Sequence, residues 1–401
     1  MPEPSQLTIL CLASDVKGQA LIRECHRQGC RVLLITRPHL AQADWPRECI
    51  EEMFYLPSLL HRDDLVKSIS HLARTRVIDR IIALDDFDVE QASLLREHLR
   101  IPGLGETTAR YFRDKLAMRV RAKEAGVLVP EFVHALNYDA VRSFMARVPP
   151  PWILKPRSEA AAAGIKKVPT ADELWRHLEA LGDRQAFFLL EQFVPGDIYH
   201  VDAVISERRV AFAAYHRYGS PPLDVAQGGG LFITRTLPHR SDEVKELSLV
   251  NRQILGCLGL VRGVTHTELI RGREDGKLYF LETAARVGGA YIAEVIEAAT
   301  GVNLWAEWAK IEIGSGKIPY PAPKARKHYA GVILSLAREE WPDMSAYDDP
   351  EIVARVKKPH HAGLIVSSKD SARVEALLAD YGPRFYRDFF ATGPAPERVE
   401  R

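Results

Sequence analysis

Two short apolar segments decide how this chain folds: VTHTELIRG at 264–272 and LYFLETAAR at 278–286. Both have the apolar, β-branched and aromatic character of strands, and the turn residues REDG separate them, so we expect a β-hairpin. Glu268 and Glu282 lie on these two neighbouring strands. Two carboxylates that face each other need a cation between them, or one of them must bind a proton. The hairpin therefore predicts a candidate metal site.

The first hundred residues predict a parallel α/β domain. Three short apolar runs alternate there with amphipathic helix patterns: LTILCLA, RVLLITR and RIIALDD. Such alternation is typical of a parallel sheet covered by helices, whose ligand crevice lies beyond the carboxyl ends of the strands. Asp85, Asp86 and Asp88 follow the third run at such an end, where they either face a substrate or a cation, or cap a helix. Only Gly18 follows the first run, so a dinucleotide fingerprint is absent.

Length and composition indicate a multidomain globular protein. The chain has 401 residues and a formal net charge of +1, which speaks against a basic protein that coats nucleic acid. No apolar run approaches the ~18 residues of a membrane span. The five cysteines are scattered without a CxxC pair, which favours reduced thiols. We therefore expect a cytoplasmic protein that binds neither nucleic acid nor a membrane.

Between these regions, charged and small residues follow one another in an order that suits a nucleoside triphosphate. From 107 the sequence TTARYFRDKLAMRVRAKEAG predicts one long helix that carries Lys115, and Lys155 lies in the apolar strand WILKP. The loop SEAAAAGI at 158–165 has small side chains, which allow a backbone to approach phosphates closely. A nucleoside triphosphate needs point charges, backbone donors and oxygen ligands for Mg²⁺, and the chain offers each of them.

This order resembles the ATP-grasp superfamily, whose members include biotin carboxylase, D-alanine ligase and carboxylate-amine ligases. The strings RDKLAMR, WILKP, LEQFVPGDIYHVD, HTELI and FLETAARVGG occur in the order of the family. The resemblance implies a multidomain α/β and α+β protein, in which a Rossmann-like parallel domain precedes the ATP-grasp fold. The implied regions are a pre-ATP-grasp domain at 1–105, a lid subdomain at 106–190, a large subdomain with the metal site at 191–320, and a C-terminal extension at 321–401 that packs on the ATP-grasp domain.

The resemblance also implies which residues bind the nucleotide. Lys115 would bond the α-phosphate, and Lys155 would reach between adenine and the phosphates. Gly164 remains in the phosphate loop, where alanines replace most of the glycines of the family. The other implied contacts are Glu191, Phe193 and Val194 for adenine, and Asp197 or His200 for the ribose. For His200, a satisfied strand histidine without a ligand is an equal alternative.

Metal and catalytic roles follow from the same resemblance. Glu268 and Glu282 match the two magnesium carboxylates, and Arg286, together with Lys155, would stabilise the transferred phosphoryl group. One departure is Ala284, which stands where the family pattern E-x-N-x-R has asparagine. An oxygen ligand is therefore missing, so water or Thr283 replaces it, or one metal site is weakened.

Three glycine-rich or charged positions are candidates for substrate binding. Gly288 and Gly289 offer backbone amides suited to an anion. Arg235, with Tyr215 and His216 before it, lies where relatives bring substrate-binding groups, although a simple hairpin turn explains that segment equally well.

The implied activity is an ATP- and Mg²⁺-dependent ligase, with Mn²⁺ as an alternative metal. Such an enzyme converts a carboxylate to an acyl phosphate, passes the acyl group to an amine or a similar nucleophile, and releases ADP and phosphate. Two alternatives remain: activation of bicarbonate as in biotin carboxylase, and an ATP-binding module with little or no turnover. The expected partners are small-molecule carboxylates and amines, and a homodimer is left open.

Overall fold

The N-terminal domain is a parallel α/β layer structure, as the alternating pattern predicts. The computed structural model describes residues 6–160 and 162–393. Four parallel strands pair in the order β3-β2-β1-β4. The elements are β1 (Thr8–Ala13), α1 (Gln19–Arg27), β2 (Arg31–Thr36), β3 (Glu52–Tyr55), α2 (Arg62–Leu72), β4 (Arg80–Ala83), α3 (Val89–Leu99) and α4 (Glu106–Arg110). Every residue of β1 is buried, as expected for a strand covered on both faces.

The single helix that the sequence predicts from residue 107 is wrong, because two helices replace it. α4 ends at Arg110, and α5 (Lys115–Glu124) begins after a turn. The Asp114 carboxylate accepts hydrogen bonds from the backbone N–H groups of Leu116 and Ala117, at 3.0 and 3.3 Å. Aspartate is a favoured N-cap residue, so it ends the turn and starts a new helix. The break places Lys115 at the first position of α5.

A second sheet, which we call the lid sheet, is antiparallel and follows α5. Its strands pair in the order β5-β8-β6-β7. The elements are β5 (Phe132–His134), α6 (Tyr138–Arg147), β6 (Trp152–Pro156), β7 (Lys166–Val168), α7 (Ala171–Leu181) and β8 (Phe188–Gln192). Phe144 and Leu174 of the two helices pack against Trp152 and Leu190 of the strands, which gives this unit a core of its own.

The third sheet is the largest and has eight strands in the order β13-β12-β9-β10-β11-β14-β16-β15. Its elements are β9 (Gly196–Ser206), β10 (Arg209–Tyr218), α8 (Pro222–Gly228), β11 (Phe232–Thr236), α9 (Asp242–Leu258), β12 (Gly263–Gly272), β13 (Leu278–Ala284), α10 (Ile292–Thr300), α11 (Leu304–Gly314), β14 (Tyr329–Leu336), β15 (Ile352–Arg355), β16 (His361–Ser368) and α12 (Ser371–Asp388). The predicted hairpin is β12–β13, in which Glu268 pairs directly with Glu282. The C-terminal region contributes β14, β15 and β16 to this sheet.

Apolar packing joins the N-terminal domain to the large sheet. Leu21 and Cys25 of α1 share one core cluster with Leu304 and Trp308 of α11 and with Val264 of β12. The carboxyl end of β4 is thereby brought toward the hairpin β12–β13. Among the described residues, none of the helices has the length and apolar character needed to cross a membrane.

Replacing Asp114 by alanine tests the cap that places Lys115. The Asp114→Ala variant loses an N-cap worth about 1 kcal/mol, so the Leu116 and Ala117 amides should exchange hydrogen about fivefold faster. Hydrogen exchange followed by NMR or mass spectrometry measures this. Asp139→Ala is the control, because Asp139 is exposed in the first turn of α6 and forms a surface ion pair with Arg142. Equal exchange of the α5 amides in both variants would contradict the cap.

Candidate active site

Lys115, which is buried, and Glu282, which is half-buried, form an ion pair between α5 and β13. The Lys115 Nζ lies 3.0 Å from the Glu282 Oε2 and donates a 2.6 Å hydrogen bond to the Glu159 carbonyl oxygen. Burial acts to raise the pKa of Glu282, but Lys115 and Lys155 outweigh it and lower that pKa to about 2. Glu282 is therefore anionic at neutral pH. The pair brings a predicted phosphate lysine and a predicted metal carboxylate together.

A second buried group of charges lies beside this pair. The Glu191 carboxylate is 2.5 Å from the Lys155 Nζ through Oε2 and 2.5 Å from the Arg119 Nε through Oε1. Burial lowers the pKa of Lys155 to about 8, although Glu191 partly offsets this. Burial alone would raise the pKa of Glu191, but Arg119 and Lys155 outweigh it and the net shift is downward. Sequence reasoning predicts only backbone contacts for Glu191, whereas its side chain holds two cations.

The remaining predicted nucleotide residues have other contacts and do not form one cluster. Phe193 and Val194 fall in the connection between β8 and β9, and the Lys167 Nζ lies 3.8 Å from the centre of the Phe193 ring. Asp197 pairs with Arg217 at 2.7 Å. Gly164 has a φ of +68°, a left-handed conformation that glycine adopts at little cost. The roles of these residues in binding stay predictions.

Asp86 links the N-terminal domain to Arg286. Its Oδ2 is 2.8 Å from the Arg113 Nη1 and 3.8 Å from the Arg286 Nη2. Burial acts to raise the pKa of Asp86, but the two arginines outweigh it and lower that pKa. Asp85 instead accepts a hydrogen bond from the Phe87 N–H as a helix cap. Among these aspartates, Asp85 is a cap and Asp86 lies beside Arg286, whereas the Asp88 carboxylate accepts hydrogen bonds from the Ser14 N–H and hydroxyl.

Three neighbouring strands carry a histidine followed two residues later by an acidic or phenolic side chain. These residues form a buried group that we call the histidine cluster: His200 and Asp202 on β9, His216 and Tyr218 on β10, and His266 on β12, with Glu268 two residues beyond it. Residues two apart on a strand point to the same face of the sheet, so the cluster lies on the face that carries Glu268.

His200 is enclosed within this cluster. Its Nδ1 is 2.6 Å from the Asp202 Oδ2, and its Nε2 is 2.7 Å from the Thr234 Oγ1. The His216 ring stacks on it with ring centres 4.7 Å apart, and burial lowers the pKa of His216 to about 3. Because both nitrogens of His200 are engaged and the side chain is fully buried, the geometry favours the satisfied strand histidine over a ribose contact.

His266 connects Asp202 to Glu268. The His266 Nδ1 is 2.8 Å from the Asp202 Oδ1, and its Nε2 is 3.5 Å from the Glu268 Oε1. Burial acts to lower the pKa of His266, but Asp202 outweighs it and raises that pKa to about 9. The Tyr218 hydroxyl also donates to the Glu268 Oε1, at 2.8 Å. The predicted metal carboxylate Glu268 is thus oriented by two cluster residues.

The predicted substrate residues separate into two places. Gly288 lies over the cluster, because a Cβ atom there would come within 2.9 Å of the Asp202 Oδ1 and 3.1 Å of the His266 Nδ1. Gly289 follows it in the same loop before α10. Arg235 points to the opposite face of β11 from Thr234 and pairs with Glu375 of α12 at 2.8 Å. The structure does not bring Arg235 together with the other predicted residues.

Sequence reasoning missed Arg119, Asp202, Tyr218 and the role of His266. The repeated pattern of a histidine and a polar residue two positions later on β9, β10 and β12 was a usable signal, because period two marks one face of a sheet. Arg119 had a weaker signal, since it follows Lys115 by one helical turn and so shares its face.

Comparison with known proteins agrees with this architecture. No protein-family model matches the chain. The L-arginine-specific L-amino acid ligase of Bacillus subtilis is 24% identical over 242 residues, which cover 59% of this chain and 58% of that ligase. The chain spans little more than half the length of the first curated relatives that it matches.

Two solved structures superpose on almost the whole chain. The L-amino acid ligase from Bacillus licheniformis has a TM-score of 0.74 at 16% identity, covering 97% of this chain and 100% of that one. The biotin carboxylase domain of the Hydrogenobacter thermophilus 2-oxoglutarate carboxylase, solved with MgADP and bicarbonate, has a TM-score of 0.70 at 16% identity, covering 98% and 92%. The chain therefore has the fold of these ligases and carboxylases, which is the ATP-grasp fold that its sequence predicts.

Removing the anion between two buried cations should destabilise the lid sheet. The Glu191→Ala variant leaves Arg119 and Lys155 buried without a counter-charge, which costs about 3 to 5 kcal/mol of unfolding free energy. Urea unfolding followed by fluorescence of Trp152 and Trp175 measures it. Glu131→Ala is the control, since Glu131 pairs with a half-exposed Lys123 at 3.2 Å and should cost less than about 1 kcal/mol. Similar losses in both variants would refute the buried triad.

Proposed function

We propose that this protein is an ATP- and Mg²⁺-dependent ligase that joins a carboxylate to an amine through an acyl phosphate. The observation that carries the proposal is the meeting of Lys115 with Glu282 beside Lys155. This arrangement suits ATP with Mg²⁺, because the two lysines can bind the phosphates and the carboxylate can bind the metal. The similarity to two L-amino acid ligases supports amino acids as the substrate class.

The donor set fits the metal that the fold implies. Glu268 and Glu282 supply carboxylate oxygens from paired positions of two strands, and Mg²⁺ prefers oxygen ligands. When bound, Mg²⁺ supplies positive charge to the phosphate oxygens during transfer. Lys115 and Lys155 would then bind phosphate oxygens. Burial of both lysines keeps water from screening that attraction.

The chemistry requires positioning rather than a protein nucleophile. A carboxylate oxygen of the substrate attacks the γ-phosphorus, and the bond from that phosphorus to the ADP oxygen breaks. The amine nitrogen then attacks the acyl carbon, phosphate leaves, and the nitrogen gives up a proton. The Arg286 guanidinium lies 3.8 Å from the Asp86 carboxylate, which orients it. It would stabilise the negative charge on the transferred phosphoryl group. Free cysteines support a cytoplasmic setting for this reaction.

An ADP-release screen with pairs of amino acids, followed by mass spectrometry of the product, tests the activity. We expect an amide-bonded product with ADP and phosphate, and at least a 100-fold loss in the Glu282→Gln variant, because one metal carboxylate is removed. Glu274→Gln is the control, since Glu274 is exposed in the turn of the same hairpin. Turnover that requires bicarbonate would favour the carboxylase alternative. ATP binding without turnover for any pair would favour the binding module and contradict the ligase.

Nucleotide affinity should fall as the pH rises through about 8. The pKa of Lys155 is lowered to about 8, so at pH 9 only about one-tenth of the free protein carries charge on this side chain. The affinity for an ATP analogue, measured by calorimetry with Mg²⁺, should drop up to about tenfold between pH 7 and pH 9. Lys155→Arg should flatten this dependence, because arginine stays charged. An identical pH profile in the wild type and the variant would exclude Lys155 as its source.

A further inference from the structure

His266 lies directly across the hairpin from the position that lacks an oxygen ligand. β12 and β13 pair with Glu268 opposite Glu282 and with His266 opposite Ala284. Directly paired residues of an antiparallel hairpin have Cβ atoms about 5 Å apart on the same face. The side chain of residue 266 on β12 can therefore supply the metal ligand that residue 284 on β13 lacks. Ala284 itself is buried and has no polar side-chain atom.

The contacts of His266 match those of a histidine that binds a metal. Such histidines usually donate their other ring N–H to a carboxylate, which fixes the ring and makes the binding nitrogen more basic. The Asp202 Oδ1 takes this position at the His266 Nδ1, at 2.8 Å. The His266 Nε2 then faces the Glu268 Oε1 and the Tyr218 hydroxyl, each 3.5 Å away, and the hydroxyl gives its proton to Glu268. Neighbouring ligands at about 2.1 Å from one metal lie about 3 Å apart, so a small adjustment suffices.

We propose that the Nε2 of His266 is a ligand of the metal held by Glu268, in place of the asparagine oxygen that Ala284 lacks. This inference rests on the proposed function, since it concerns the metal of the same site. An imidazole binds a metal through an unprotonated nitrogen, so Nε2 carries no proton when the metal is bound, and Nδ1 keeps its proton toward Asp202. Tyr218 holds the shared carboxylate by donating to the Glu268 Oε1.

A nitrogen ligand changes which metal the site prefers. Mg²⁺ demands oxygen ligands, whereas Mn²⁺, although it also prefers oxygen, is a transition metal that accepts an imidazole nitrogen more readily than Mg²⁺ does. The site should therefore favour Mn²⁺ over Mg²⁺ more strongly than a site built from two carboxylates and an amide oxygen. The expected size of the effect is about 10- to 100-fold in Mn²⁺ affinity, the usual effect of changing groups that hold a metal.

A metal deeper in the histidine cluster fits less well. Within the part of the chain that the structure describes, His200, Asp202 and His266 form the one group of three possible ligands whose binding atoms all lie within 4.8 Å. Hydrogen bonds already join these atoms at 2.6 and 2.8 Å, and the second nitrogen of His200 is engaged by Thr234. Asp202 is therefore better explained as the carboxylate that orients His266.

Pulsed electron paramagnetic resonance on the full chain with Mn²⁺ and ADP tests the assignment. The ADP is labelled with ¹⁵N, so that ¹⁴N couplings come from the protein alone. We expect a directly bonded ¹⁴N coupling that disappears when the protein carries ¹⁵N-histidine, a result that needs no mutation. The coupling should also disappear in His266→Gln and persist in His216→Gln, which removes a different imidazole of the same cluster.

The outcomes separate this inference from the proposed function. Mn²⁺ that binds with ADP but shows no histidine coupling would overturn the ligand role of His266 and leave the ligase intact. Failure of Mn²⁺ to bind with ADP under any condition would overturn both. A coupling that persists in His266→Gln would assign it to another histidine and so refute the proposal.

A compensating variant gives an independent readout. Ala284→Asn combined with His266→Gln restores the oxygen ligand of the family and removes the imidazole. The ratio of Mn²⁺ to Mg²⁺ affinity, measured by calorimetry with ADP, should fall by at least tenfold relative to the wild type. An unchanged ratio in a double variant that keeps the wild-type circular dichroism spectrum would count against His266.

Discussion

The ion pair between Lys115 and Glu282 is the contact around which the centre of this molecule is organised. It joins the first residue of α5 to β13, and the Lys115 charge is held away from bulk water while the Glu282 carboxylate stays partly exposed. Charges in such a place are stable only when they are paired, so each further cation needs a further anion. Glu191 meets that need for Arg119 and Lys155. A net charge of +1 over 401 residues gives no hint of this concentration of charge.

Local patterns predicted much of the fold. The hairpin β12–β13, the parallel order of the first domain and the strand that carries Lys155 all follow from short runs whose periodicity is set by their neighbours along the chain. The helix break at Asp114 was missed because a run of good helix formers outweighs one cap residue in a pattern. The cap prevails because its carboxylate meets two amides and Arg157, a residue far along the chain.

The site residues show the same difference: those in sequence motifs could be predicted, and those that depend on contacts between distant segments could not. Glu268, Glu282, Lys115 and Lys155 follow a known order of motifs, and the structure brings the lysines and Glu282 together. Arg235 could not be judged from sequence, because the face of a strand that meets α12 depends on tertiary packing. The network from His200 through Asp202 to His266 was equally hidden, since its members come from strands 64 residues apart and meet only through sheet register.

Gly288 lies so close to the Asp202–His266 pair that substitutions at these three positions should depend on one another. A methyl group at 288 would press on the carboxylate of one partner and the ring of the other, so the glycine and the pair must be kept or lost together. A residue smaller than His266 at that position would leave room for a side chain at 288, whereas the intact pair leaves none. Comparing residues 202, 266 and 288 across relatives would therefore show correlated substitution where the motif VGG, taken by itself, suggests only a flexible loop.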